Sequence, residues 1–272
     1  ALMGAIALMR QAFLDADWYH RAHEAYNRAP GDRKAPERNL SLEALSGHLA
    51  GGRPFVFYTG GVLDLFRAAK IGSEFGLDCW YMGSGSEYRR IDAVKDAGGR
   101  LILPLDFPDV PDLSAGEVTL RALRHWDAAP ENPARLAAAG IPFALSTAGL
   151  DKDDDFLKQL RLAVKRGLDA DTALAALTTV PAGWLGESGR LGSIGTGCFA
   201  NLVVADGCIF DSGTDIVETW VAGERFEVNP MPECDVRGSW SVEADAGGFE
   251  PFGLEISGDA AKPKAKILFG KK

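Results

Sequence analysis

Residues 54–103 read PFVFYTGGVLDLFRAAKIGSEFGLDCWYMGSGSEYRRIDAVKDAGGRLIL. Short apolar runs open at about 54, 77 and 100: Pro54–Tyr58, Leu77–Met82 and Leu101–Leu105. They are too short for buried helices and have an aromatic and branched bias, so each predicts a strand. Between them, Val62–Phe75 has helical spacing, with Leu63, Phe66, Ala69 and Lys70 on successive turns. Glu87–Ala97 predicts a second helix, closed by Gly98 and Gly99. A recurrence of roughly 23 residues leaves room for a strand, a crossover helix and two short loops, so the strands should run parallel beneath helices.

Working upstream, residues 2–26 predict one amphipathic helix, with Leu2, Ile6, Met9 and Phe13 in a stripe that Ala22 and Tyr26 extend. A polar break follows at residues 29–38, then a short helix from Ser41 as N-cap to Leu49, ended by Gly51 and Gly52. Downstream, Phe107–Ser114 is a loop rich in Pro and Asp, and Val118–Trp126 and Asn132–Ala139 read as helices. Phe143–Thr147 is a fourth strand, closed by helical stretches at Phe156–Arg166 and Asp171–Thr178 and a turn at Pro181–Leu185. From Gly192 the pattern changes to short β pieces at Asn201–Ala205, Ile216–Ala222 and Arg225–Val228, an antiparallel layer. After the polar link Asn229–Glu233, further β pieces lie at Gly238–Glu243 and Phe252–Ile256, ahead of terminal lysines expected in solvent.

The chain has 272 residues with 46% apolar and 25% charged side chains, ordinary for a globular protein. A net charge of −9 argues against nucleic acid, whose phosphates require a basic face. The acidic run Asp151–Asp155 reads as a solvated helix start. Cys79, Cys198, Cys208 and Cys234 form no CxxC pair and sit beside apolar residues, so they are expected to be buried free thiols; a Cys198–Cys208 disulfide across a hairpin is possible but not indicated. No apolar run reaches the roughly 18 residues of a membrane helix, and Ala1–Met9 lacks the basic lead and cleavage site of a secretory signal. The expectation is a soluble protein without a membrane partner, cytoplasmic, or periplasmic if a leader lies upstream. A start inside a helix, without Met, predicts a fragment.

The stretch from Asp171 carries a family resemblance. It reads DTALAALTTVPAGWLGESGRLGSIGTGCFANLVVADG, and TDIVETWVAGERFEV follows from Thr214. Thr178–Pro181 ends one helix and starts the next, with proline suited to a first turn. Gly186, Gly192 and Gly197 permit tight turns, Leu202–Val204 form a strand, and Gly223 closes a corner. This order resembles the closing segment of imidazolonepropionase-like and prolidase-like members of the amidohydrolase superfamily. Asn201 departs from the family's usual acidic residue, a change expected to matter little for catalysis. Residues 54–103 look like strands 5 to 7 of the family's (β/α)8 barrel, and IPFALSTAGL, from Ile141, looks like strand 8.

The resemblance implies an α/β fold: the C-terminal half of a TIM barrel, strands 5 to 8, with part of a flanking β-sandwich. The expected divisions are a helical segment at 1–52, the half barrel at 53–188, a β-sandwich segment at 189–230, and a β-rich tail at 231–272 that starts a further unit. It also implies hydrolysis of C–N bonds other than peptide bonds, or of dipeptides, by water activated on zinc or another divalent metal. The family places its site at the C-terminal ends of the strands. Histidines end strands 5 and 6 there and an aspartate ends strand 8, but this chain has Tyr58, then Gly83 (Met82 or Ser84 if the register slips), and then Ser146, Thr147 and Ala148, with Ala148 the nearest equivalent. Phenol, hydrogen and methyl are poor ligands, so no metal and no cofactor are expected in this chain.

What remains at the implied mouth is Tyr58, Ser84, Glu87, Arg89, His125, Ser146 and Thr147. Thr59, Ser86, Tyr88 and Asp106 neighbour them. These side chains either line a polar pocket for a small molecule or merely cap their loops. His20 and His23 read as a solvated helix face, and His48 suits a helix C-terminus. GSGSE at 83–87 lacks the second half of a phosphate-loop fingerprint. Two functions follow. One is a catalytically incomplete, metal-free homologue acting as a structural or ligand-binding module. The other is an active hydrolase completed by an N-terminal half carrying H-x-H. A half barrel leaves edges and an apolar face open, so the expected partner is that N-terminal half or a second copy.

Overall fold

The computed structural model describes residues 2–31, 34–111, 118–152, 155–229, 234–243, 251–258 and 263–269. They fall into two compact units, Ala1–Ser188 and Gly189–Lys272.

The first unit is built on four parallel strands, β1 (Phe55–Tyr58), β2 (Cys79–Met82), β3 (Arg100–Pro104) and β4 (Phe143–Ser146), paired in chain order. The register aligns Phe57 with Tyr81, Tyr81 with Leu101, and Leu101 with Phe143, so one face of the sheet is a continuous apolar row. Tyr81, Leu101 and Phe143 are all buried. Parallel strands need crossovers, and α3 (Val62–Phe75), α4 (Ile91–Ala97) and α6 (Asn132–Ala138) supply them. Two helices precede the sheet, α1 (Leu2–Arg28) and α2 (Leu40–Ala50). A helix α5 (Leu120–Ala128) follows β3, and α7 (Asp155–Lys165), α8 (Ala170–Leu177) and α9 (Thr179–Trp184) close the unit.

Several local expectations are corrected. The buried stripe of α3 is Leu65, Ala68, Ile71 and Gly72, while Leu63 points to solvent. In α1 the buried residues are Phe13, Ala16 and Tyr19, and Leu2 is exposed. Asn39, not Ser41, caps α2: its side-chain oxygen accepts from the Ser41 and Leu42 amides at 3.1 and 3.2 Å. The stretch from Glu87 opens as a 3-10 turn, Glu87–Arg90, before α4 begins. His23 is half-buried against Tyr19, with ring centroids 4.2 Å apart, rather than solvated; His20 is exposed and faces Glu24. His48 ends α2 and sits 3.1 Å from the Pro54 carbonyl.

The second unit contains β5 (Leu202–Ala205), β6 (Ile216–Val221) and β7 (Glu224–Glu227) in one antiparallel sheet. Ala222 and Gly223 join β6 to β7, both at positive φ (51° and 89°), the two-residue turn that matches strand twist. The Asn201 side-chain oxygen accepts from the Ala222 amide at 2.7 Å, an acceptor role that a carboxylate fills equally well. A second sheet pairs β8 (Gly238–Val242), β9 (Phe252–Gly258) and β10 (Pro263–Phe269). The strand β10 falls where only solvated lysines were expected. Parts of the Phe107–Ser114 loop, the Asp151–Asp155 run and the Asn229–Glu233 link lie outside the described residues. The four thiols are free, but only Cys79 is buried; Cys198 is half-buried and Cys208 and Cys234 are exposed, correcting the expectation for those three. Among the described residues, no helix is long and apolar enough to cross a membrane.

Candidate functional site

The C-terminal ends of β1 and β2 open onto a cavity of about 570 Å³. Its wall comes from three places: the Gly60–Gly61 entry to α3, the Ser84–Arg89 connection after β2, and the Thr119–His125 side of α5. Of the residues singled out from sequence, Ser84, Arg89 and His125 meet here. Tyr58, Ser146 and Thr147 do not line it. Tyr58 is 81% exposed at the end of an edge strand. The Ser146 hydroxyl accepts from the Ala148 amide at 3.1 Å, and the Thr147 carbonyl accepts from Leu150, so both serve their own loop.

Glu87 has a different place from the one expected. It is fully buried and lies beneath the cavity wall, not on it. One carboxylate oxygen accepts from the Ser84 amide at 2.7 Å and from the Ser84 hydroxyl at 3.0 Å. The other accepts from the Asn132 amide group at 2.8 Å, and the Asn132 oxygen in turn accepts from the Tyr88 backbone at 2.7 Å. A buried carboxylate is tolerable only when its oxygens are hydrogen-bonded, and three donors engage both of them here. The Ser84 amide is therefore already engaged, so the GSGSE loop does not offer it to a phosphate.

His125 is half-buried on α5, with Nδ1 3.0 Å from the Tyr88 hydroxyl. Burial lowers its pKa below the ordinary histidine value, and the charges of Arg89 and Arg121 lower it further against an opposing pull from Glu87. The Tyr88 ring carries Arg89 and Arg135 guanidiniums 5.6 and 5.5 Å from its centroid. At the end of β3, Asp106 lies close against Gly149. Burial holds its carboxyl above the usual range, and the charges of Asp151 and Asp109 add to this.

Asn132 and Arg121 went unread in the sequence. Arg121 and His125 are i,i+4 on α5, a spacing that sets them on one face and was a usable signal. Asn132 precedes a proline at a helix start, which looks like an ordinary cap. Among the described residues, no group of three or more His, Cys, Asp or Glu is placed to hold a metal ion. At Gly83 a Cβ would stand 3.0 Å from Leu103 Cδ2 and 3.1 Å from Glu87 Oε1, so the Glu87 network occupies the space a side chain would need. These residues do not fit a resident metal.

The model of the Amidohydrolase family matches residues 131–226. The crystal structure of an amidohydrolase from Thermotoga maritima superposes with a TM-score of 0.68 at 22% identity, covering 84% of this chain and 57% of that one. A second amidohydrolase crystal structure gives a TM-score of 0.50 at 17% identity, covering 69% of this chain and 47% of the other. This chain thus spans about half the length of the structures it matches. No curated protein matches it. The ordered elements from Asp171 onward lie largely within the stretch that the family model matches, and the parallel sheet shares its fold with these amidohydrolase structures.

Proposed function

We propose that this chain is a catalytically incomplete, metal-free amidohydrolase-like module that binds a small ligand. Its four strands represent the second half of a (β/α)8 barrel, the C-terminal ends of β1 and β2 forming part of the mouth. The division at 1–52, 53–188, 189–230 and 231–272 belongs to the same reading. The observation that carries it is the crowding at Gly83. The family's resemblance places a metal-binding histidine there, whereas here even a Cβ would meet the Leu103 side chain at 3.0 Å and the Glu87 carboxylate at 3.1 Å, so a side chain at this position would have to push these neighbours aside. Tyr58 and Ala148 stand at the other two ligand positions with a phenol and a methyl, neither suited to a divalent ion.

Elemental analysis of the purified chain after incubation with zinc tests this. Well under one equivalent of metal per chain is expected, and a stoichiometric metal overturns the reading.

The face opposite the apolar row is covered at Trp80 and Ala144 and open at its β1 edge. Val56 is 46% exposed there, two residues before Tyr58. This supports association with an N-terminal half or with a second copy. Light scattering should show a species larger than the monomer; a monodisperse monomer removes the self-association part.

A further inference from the structure

We propose that the cavity at the ends of β1 and β2 holds the oxyanion of a small molecule, a carboxylate or a phosphate, between the guanidiniums of Arg89 and Arg121. This deepens the ligand-binding reading and rests on it.

The charge balance of the wall points to an anion. Asp64 is paired with Arg67 and cancels it. In the adjoining recess, Asp127 is paired with Arg166. The buried Glu87 carboxylate is filled by Ser84 and Asn132. Arg89 and Arg121 line the same cavity, and neither has an ion-pair partner among the described residues. Both charges reach His125 on the same wall strongly enough to disfavour its protonation. Two uncompensated guanidiniums at one cavity stand out on a chain with a net charge of −9. Planar guanidiniums bind carboxylate and phosphate through paired N–H donors, so this is a chemically specific pairing.

The serine hydroxyls do not compete for that role. Ser84 donates to Glu87, and the Ser86 hydroxyl lies 2.7 Å from the Ser84 oxygen that remains as its acceptor. Both serine protons are spent inside the wall, which leaves recognition to the guanidiniums, with the neutral Thr119 hydroxyl beside them. The entry to α3 adds a weaker pull of the same sign: its N-cap Gly61 supplies no side-chain cap, and Gly61, Val62 and Leu63 border the cavity at the positive end of the helix.

The test is calorimetric titration of the whole chain with inorganic phosphate and, separately, with glutarate, against chloride at equal ionic strength. At least one of the two should bind saturably, and the better binder identifies the oxyanion. Arg89→Gln and Arg121→Gln should each weaken that binding roughly tenfold. Both arginines are exposed, so the variants should retain the wild-type circular dichroism spectrum. Binding of neither probe above chloride, or equal binding by wild type and both variants, overturns the proposal. A metal-free chain that ignores both anions ends this inference and leaves the metal-free reading intact.

Discussion

The Glu87 carboxylate and the Asn132 side-chain amide meet at 2.8 Å across 45 residues of sequence, both of them buried. This bond ties the connection after β2 to the start of α6, and through Ser84 it fixes the cavity wall. Removing one partner leaves the other buried without its hydrogen bond. Asn132→Ala should therefore cost about 3 kcal/mol, and Glu87→Gln, which keeps the shape but halves the acceptors, about 2 kcal/mol. The double variant should lose clearly less than the sum, because the second change removes a bond already broken. Urea midpoints on the three variants measure this. Strict additivity would show that the two side chains act independently.

Gly83 gives a prediction with an internal control. A methyl there must displace Leu103 or Glu87 Oε1, both within 3.1 Å, so Gly83→Ala should destabilise by about 1–3 kcal/mol. Gly47 sits inside α2 with open space around it, so Gly47→Ala should instead stabilise by about 0.5–1 kcal/mol through helix propensity. Thermal melts of the two variants should move in opposite directions. A Gly83→Ala melt at or above wild type would remove the steric argument against a ligand at this position.

What the sequence reveals and what it hides can be seen in two places. The ends of α3 are legible because Gly60, Gly61 and Gly76 bracket it, and the spacing of the three apolar runs is enough for parallel pairing. Its buried face is less legible, because large apolar residues occur on both sides of the helix: Leu65 and Ile71 are buried while Leu63 is exposed. The small residues Ala68 and Gly72 complete the buried face, Gly72 directly against the Cys79 thiol, and a stripe built on Leu63 and Phe66 passes over them. The site behaves likewise. Ser84, Arg89 and His125 lie near strand or helix ends, where the resemblance directs attention. The Glu87–Asn132 bond leaves no local pattern, since a polar pair 45 residues apart is visible only once the chain is folded. Cys208 misleads for another reason: Ile209 and Phe210 follow it in sequence, yet it lies exposed in a connection; Cys234, also exposed, stands between Glu233 and Asp235, charged neighbours that already point to the surface.

The thiols separate cleanly by environment. Burial raises the Cys79 thiol above its ordinary range, so it presents little thiolate at neutral pH and little access to reagent. Cys208 and Cys234 are exposed. Iodoacetamide at neutral pH followed by peptide mass mapping should label Cys208 and Cys234 promptly in the native chain, with Cys79 labelled only in urea. Labelling of Cys79 at the same rate as Cys208 in buffer would mean that the α3–β2 packing opens freely.

His125 reports on the cavity through pH. Burial first, then Arg89, with a further contribution from Arg121, holds its folded pKa below the unfolded value, against the pull of Glu87. A histidine lowered by folding is neutral in the native chain while the unfolded chain takes up a proton. Its contribution to stability is therefore complete above about pH 6.5, declines as the pH falls from there toward the folded pKa, and levels off below it. Between roughly pH 7.5 and 5, wild type should lose more stability than His125→Gln, which has nothing to protonate and can still meet the Tyr88 hydroxyl. Taking the difference between the two proteins cancels every carboxylate that titrates alike in both. Arg89→Gln then separates charge from burial: removing the guanidinium should raise the His125 pKa seen in its ring proton shifts. If burial alone sets the shift, the resonance will titrate at the same pH in Arg89→Gln as in wild type, and the electrostatic link between Arg89 and His125 is lost.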